Sequence, residues 1–385
     1  MNAKESGQKV LKQLNEAGFD AYFVGGMVRD TLLGYTICDA DITTSATPDQ
    51  VLNLFDKTFA TGLQHGTVTV LMDNENVEVT TFRFDGKYLD NRRPDGVVFT
   101  GSLLEDLARR DYTINAMAQA LDGTIIDPFN GKDDLNQRLI HAVGEPKQRF
   151  QEDALRILRG IRFVAKLGFD IEGETAKAMQ ECRHLLANLS LERIRKEFEG
   201  ILSDVPYQEK ALTFIIQNQI LEYMPFFSIL MKFENLDHIK HVATLFNLVA
   251  FELENPKTFL SEFPFTKEEK KNIRILLEIR DRVLDERLIL YRYGAVVLYQ
   301  RHLLNCFYHN GKFGYQLPNM SINSRSDLAV GPKEVIKLSK KEPGPWVSKL
   351  FTEIEEVIIL EKIPNTRESI LKLIEERGIF NVEED

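Results

Sequence analysis

The sequence predicts an α/β head followed by a long, all-helical remainder. Three observations carry this division. The first ~120 residues hold short β-rich runs bounded by turn residues. After about residue 135 the apolar positions recur at helical spacing instead. From there to the C-terminus no strong strand pattern and no internal repeat interrupts the helices. With 385 residues and 43% hydrophobic content, the chain can bury a substantial core and form two or more structural units.

The elements follow in order. Ala21-Tyr22-Phe23-Val24 is a short apolar run ending in Gly25-Gly26, a strand feeding a tight loop. Met27 to Leu33 suits a short helix closed by Gly34. Thr67–Met72 and Val77–Phe82 are β-rich runs joined through Asp73-Asn74-Glu75-Asn76, a hairpin. Val97-Val98-Phe99 adds a further strand. Phe150 to Leu167 carries Leu155, Leu158, Phe163 and Leu167 at helical spacing, with Gly168 as its stop. Beyond it, Asn255-Pro256 and Pro343-Gly344-Pro345 are breaks between helices.

Composition excludes several classes. No apolar run approaches the ~18 residues that span a bilayer, and the polar opening Met1 to Val10 has no signal-peptide core. Cys38, Cys182 and Cys306 are odd in number and widely spaced. They match neither a disulfide framework nor a zinc spacing, which points to the cytoplasm. The net charge of −10 decides nothing, because phosphate binding depends on where Lys and Arg cluster.

In Gly25-Gly26-Met27-Val28-Arg29-Asp30, paired glycines let backbone N–H groups approach a phosphate, and Arg29 can add a charged donor. Taken alone, such a stretch is also an ordinary tight turn. Asp39-Ala40-Asp41 follows. In an extended strand, residues i and i+2 share a face with Cα atoms about 6.7 Å apart. Two carboxylates so placed can grip Mg²⁺, a hard ion that prefers oxygen ligands. Glu78 alternates away from Val77 and Val79. It is either a third acid of this site or the solvent face of a half-buried strand. In Arg109-Arg110-Asp111-Tyr112-Thr113-Ile114-Asn115, two adjacent arginines followed by Asp111 and Asn115 suit a triphosphate and ribose, or a helix cap with exposed arginines.

These motifs, in this order, resemble the nucleotidyltransferase head of the polymerase-β superfamily. More narrowly, the chain resembles the class II CCA-adding enzymes, the tRNA nucleotidyltransferases. The resemblance runs through Gly25–Asp30, Asp39–Asp41, Arg109–Met117, Asp127-Pro128-Phe129-Asn130-Gly131, Glu152–Phe163 and Leu191-Glu192-Arg193-Ile194. It implies a polymerase-β-like mixed sheet in the head and an elongated seahorse shape. The segments would be a catalytic head at 1–140, a base-recognising neck at 141–205, a body at 206–290 and a tRNA-binding tail at 291–385. It also implies two-metal phosphoryl transfer with Mg²⁺ on Asp39 and Asp41. CTP and ATP are then the substrates, and a tRNA acceptor arm the partner.

Base choice follows from chemistry read onto the resemblance. Cytosine and adenine each offer an amino donor beside a ring-nitrogen acceptor; uracil and guanine reverse that polarity. An Asp acceptor beside an Arg donor therefore matches C and A, and each buried group left unsatisfied by U or G costs ~1–3 kcal/mol. Asp153 and Arg156, neighbours on a helix at i, i+3, are that pair in the family, although the same spacing also describes a plain salt bridge. Arg159 and Arg162 extend the series toward the nucleotide, Arg162 drifting around the helix. Arg83 to Pro94 resembles the family's flexible loop, and Asp127 to Leu135 the link from head to neck. Lys333, Lys337, Lys340 and Lys341 either touch RNA or solvate a helix face. His238 and His241 read as ordinary helix residues. The rival readings are a poly(A) polymerase, an enzyme restricted to CC or A addition, and a silent RNA-binding protein.

Overall fold

The computed structural model describes residues 3–85, 97–309, 311 and 314–379. They form two compact units. The first comprises residues 1–242 with 261–264, and the second 243–260 with 265–385.

The first unit opens with α1 (Ala3–Glu16), β1 (Ala21–Val24), α2 (Gly26–Leu32), β2 (Ala40–Thr44) and α3 (Pro48–Leu54). Then come β3 (Thr58–Gly62), β4 (Thr67–Met72), β5 (Glu75–Thr81), β6 (Arg83–Asp85), β7 (Val97–Phe99) and α4 (Leu103–Ala108). The head ends with β8 (Ala118–Gln119), β9 (Ile125–Ile126) and α5 (Gly131–Gln137). Seven strands make one sheet in the order β3-β4-β5-β2-β1-β8-β9. The sheet is mixed because β2 and β5 run parallel while the other pairs are antiparallel. Helix α1, which the polar opening of the sequence concealed, buries Val10, Leu11 and Leu14 and packs on β1, β2, β4 and β5. The expected hairpin is present, but its turn is Asp73-Asn74, both in left-handed conformation (φ 53° and 67°), and β5 starts at Glu75. Of the stretch Arg83 to Pro94, Arg83–Asp85 is strand β6; residues 86–94 lie outside the described residues.

The rest of the first unit is helical apart from a two-stranded parallel ribbon of β10 (Leu139–Ile140) and β11 (Asp170–Ile171). Pairings of two residues are too short to leave an alternation in the sequence. The helices are α6 (Pro146–Glu152), α7 (Leu155–Leu167), α8 (Gly173–Cys182), α9 (Leu191–Ile201) and α10 (Gln208–Gln217). The single helix expected over Phe150–Leu167 is thus two, broken at Asp153, whose backbone is extended (φ −145°, ψ 104°). Gly168 does end α7, in left-handed conformation. His238 closes a 3-10 turn and His241 makes an isolated bridge to Ser203, so neither sits on an α-helix.

Helix α7 is the spine of this half, and Gly160 sets how closely it lies against its neighbours. A Cβ there would stand 2.3 Å from the Tyr112 hydroxyl and 2.6 Å from Met179 Cε. Tyr112 is fully buried and donates from its hydroxyl to the Arg156 carbonyl at 2.5 Å. Gly160→Ala is therefore expected to destabilise the protein by roughly 1–3 kcal/mol, the usual cost of overpacking. Urea denaturation measures it, and an unchanged midpoint would show that Tyr112 can move aside.

The second unit is helical: α11 (Val242–Glu252, its first residue belonging to the first unit), α12 (Pro256–Glu262), α13 (Lys267–Glu278), α14 (Glu286–Tyr293), α15 (Ala295–Tyr308), α16 (Pro332–Ser339), α17 (Pro345–Ile359) and α18 (Arg367–Glu376). Part of its core is built from Val335, Leu350, Phe351, Ile354, Ile358, Ile370 and Ile374. Among the described residues no helix is long and apolar enough to cross a membrane. Among the described residues no disulfide joins Cys38, Cys182 or Cys306.

Candidate active site

A cavity of about 910 Å³ lies within the first unit. Eleven of the twelve residues singled out from the sequence line it: Gly25, Gly26, Arg29, Asp41, Glu78, Arg110, Asn115, Asp153, Arg156, Arg159 and Arg162. Asp39 does not; it is exposed, one residue ahead of β2.

The two acids in the wall are aligned by the sheet. Parallel pairing of β2 with β5 sets Asp41 beside Glu78. Ala40, Ile42, Val77 and Val79 are buried on the other face, so strand alternation turns both carboxylates toward the cavity. Asp41 has its carboxyl pushed up to about 6, by burial first and then by Glu78; Arg110 opposes the rise and Asp39 adds to it. Among the described residues no three acid, His or Cys side chains stand close enough together to form a metal cage by themselves.

Gly25 closes this corner. Its backbone (φ 66°, ψ −134°) is one that glycine alone adopts readily. A Cβ there would meet Arg110 Nη1 at 3.3 Å and Asp41 Oδ2 at 3.8 Å. Arg110 is held in turn by Asp106, a fully buried acid that accepts from Arg110 Nη2 at 3.0 Å and Arg109 Nη2 at 2.7 Å. Burial alone would raise the Asp106 carboxyl, but Arg110 and then Arg109 outweigh it, and the net shift is downward.

The arginines are all tethered. Arg29, buried, donates from Nε to Asp30 Oδ1 at 2.8 Å and from Nη1 to Asn115 Oδ1 at 2.7 Å. Asn115 Nδ2 reaches Asp111 Oδ1 at 3.4 Å, and Arg159 Nε donates to Asp111 Oδ2 at 2.7 Å. The result is a chain of contacts from α2 to α7. Asp111 is buried, which favours its neutral form, yet Arg159 more than compensates and holds the carboxyl down at about 2. Arg162 pairs with Glu197 at 2.7 Å. Arg29, Arg159 and Arg162 also surround the Phe163 ring, at 5.4, 6.0 and 5.4 Å from its centre.

Asp153 and Arg156 both face the cavity, but not as i, i+3 neighbours on one helix, because the chain breaks between α6 and α7. Arg156 donates to Glu152 at 2.9 Å and to the Arg109 carbonyl at 3.0 Å. Asp153 accepts from Leu155 N at 3.0 Å and from Arg193 Nη2 at 2.7 Å.

Several wall residues were not assigned roles from the sequence: Gln64, His65, Thr67, Thr80, Lys166 and Arg193. The acids that hold the arginines were likewise missed. Asp106 and Glu152 stand at helical spacing from Arg110 and Arg156, a signal that could have found them. Asp111, Glu197 and Arg193 meet their partners across 35 to 48 residues, and no spacing rule reveals that.

Known proteins resemble this chain along nearly its whole length. Residues 21–141 match the poly A polymerase head domain, 168–230 the RNA- and SrmB-binding site of polymerase A, and 233–374 the tRNA nucleotidyltransferase domain 2. A CCA-adding enzyme of Bacillus cytotoxicus is 38% identical, over 96% of this chain and 98% of that one. One from Staphylococcus haemolyticus is 36% identical, over 95% and 96%. The crystal structure of the Bacillus stearothermophilus CCA-adding enzyme in complex with CTP superposes with a TM-score of 0.81 at 31% identity, covering 98% of both chains. At this identity and coverage, and with this fold, the chain belongs to the CCA-adding enzyme family of nucleotidyltransferases.

Proposed function

We propose that this chain adds C, C and A, without a template, to the 3′ end of tRNA, using CTP and ATP and releasing pyrophosphate. The observation that supports this best is a single cavity. It gathers the Gly25-Gly26 turn and the acids Asp41 and Glu78 together with Asp153 and Arg156, groups suited to transfer and to base choice. Segment 1–140 would supply the chemistry, 141–205 the base reading, and 206–290 with 291–385 the body and tail that hold tRNA. Three cysteines outside any disulfide suit a cytoplasmic setting.

In this reading the RNA 3′ oxygen forms a bond to the α-phosphorus as the α–β bridging bond breaks, and the hydroxyl proton leaves. The donor set suits Mg²⁺: it is usually held by one or two carboxylates together with substrate phosphates, so a complete protein cage is not required. Asp39 and Asp41 would hold it, with Glu78 adjoining. Bound there, the ion would supply positive charge to the reacting oxygens and to the departing pyrophosphate. Gly25 keeps the backbone low enough for a phosphate to approach, and Arg29 and Arg110, fixed by Asn115 and Asp106, offset triphosphate charge. Asp153 accepts from the base amino group and Arg156 donates to the ring nitrogen, while Arg159 and Arg162 contact the nucleotide.

The deciding assay supplies tRNA lacking its terminal CCA, Mg²⁺ and all four labelled nucleotides. Three added residues in the order C, C, A are expected. A long run of A, or arrest at CC, would overturn the reading.

A further inference from the structure

Asp153 lies in the cavity wall at the break between α6 and α7, on extended backbone. No helix constrains its side chain, so its direction must come from what it touches. One oxygen accepts from Leu155 N at 3.0 Å. The other accepts from Arg193 Nη2 at 2.7 Å, reaching in from the first turn of α9, forty residues along the chain. Arg193 lines the same cavity.

The contact does not serve chiefly to dock α9. That helix is seated by Ile194, Phe198 and Ile201, all fully buried. The Asp153–Arg193 pair is 19% and 24% exposed, and ion pairs that keep water contribute little net stability. What the pair does supply is direction. An ionised carboxylate has about four acceptor positions. With Leu155 and Arg193 occupying one on each oxygen, those left over are fixed in space, and placement to within roughly 0.5 Å decides whether a recognition contact is made.

We infer that Arg193 is a specificity-positioning residue: it aims the Asp153 carboxylate so that the amino edge of cytosine or adenine meets an acceptor. This rests on the assignment of Asp153 as the base-reading acid, and the test separates the two. With the full-length protein and tRNA lacking CCA, kcat/KM is measured for CTP and UTP in the wild type, Arg193→Ala, Arg193→Lys and Asp153→Ala. Arg193→Ala is expected to lower the CTP value at least about tenfold and to move the UTP value less than about threefold, so the ratio falls. Arg193→Lys, which keeps a donor, should recover part of the ratio. Should Arg193→Ala fail to fold, Arg193→Gln replaces it. An equal loss for both nucleotides, or no change in the ratio, while Asp153→Ala collapses it, would reduce Arg193 to a structural tie. A ratio unmoved by Asp153→Ala would overturn the base-reading assignment itself, and the inference with it.

Discussion

Asp41→Asn is expected to lower nucleotide transfer by about a thousandfold or more while leaving the fold intact, since groups that offset phosphoryl-transfer charge carry effects of that order. The substitution keeps the size and most of the shape of the side chain. It removes one of three neighbouring negative charges, the arrangement that, with burial, pushes the Asp41 carboxyl up to about 6. Metal-free stability should therefore hold or rise slightly. A second measurement needs no turnover. An ion that binds the native state alone raises its melting temperature in proportion to ln(1 + [L]/Kd). Millimolar Mg²⁺ should raise the melting temperature of the wild type and leave that of Asp41→Asn nearly unmoved. A variant that keeps a tenth of the wild-type rate, or an equal Mg²⁺ response in both proteins, would remove Asp41 from the centre of the chemistry.

The parts of this site that were legible in the sequence are those set by neighbours in the chain. Gly25 was readable because one residue type tolerates its conformation, and β4 and β5 because alternation and an Asp-Asn turn are local signals. Helix α1 was not, since its buried face spends three positions on Ala3, Ser6 and Gly7, diluting the apolar stripe. The break at Asp153 left no glycine or proline to announce it; the Leu155 amide and Arg193 hold the residue there. Sheet register, which no local signal carries, decides how two of the site's acids meet. Only parallel pairing of β2 with β5, strands separated by β3 and β4 in the chain, brings Asp41 to Glu78. Asp111 and Glu197 could not be read as anchors of Arg159 and Arg162 for the same reason: a carboxylate 48 or 35 residues from its partner carries no mark of it.

Asp111→Asn should be the most damaging change among those acids, and its effect should depend on pH. Asp111 is buried and accepts from Arg159, from Asn115 and from Tyr112 N at 2.9 Å. Its carboxyl sits near 2 because Arg159 outweighs the cost of burial, against about 3.9 in an unfolded chain. Between those values the unfolded state binds more protons, so stability rises with pH across the window and is fully present above about 4. The difference amounts to roughly 2–3 kcal/mol at pH 7. Arg159 is 37% exposed and can recover some hydration, which favours the lower end. Urea denaturation at pH 7 should show that gap between wild type and Asp111→Asn, and the gap should close as pH falls from 4 toward 2. A gap independent of pH would mean that Asp111 acts through shape and hydrogen bonding rather than charge. Transfer activity should drop as well, about tenfold or more, because the amide keeps one acceptor oxygen for Tyr112 N and Asn115 but sets an NH₂ against Arg159, which loses its anchor. One buried acid thus sets two arginines on opposite elements of the cavity, and a site that must grip a triphosphate yet release pyrophosphate needs its positive charge placed rather than merely present.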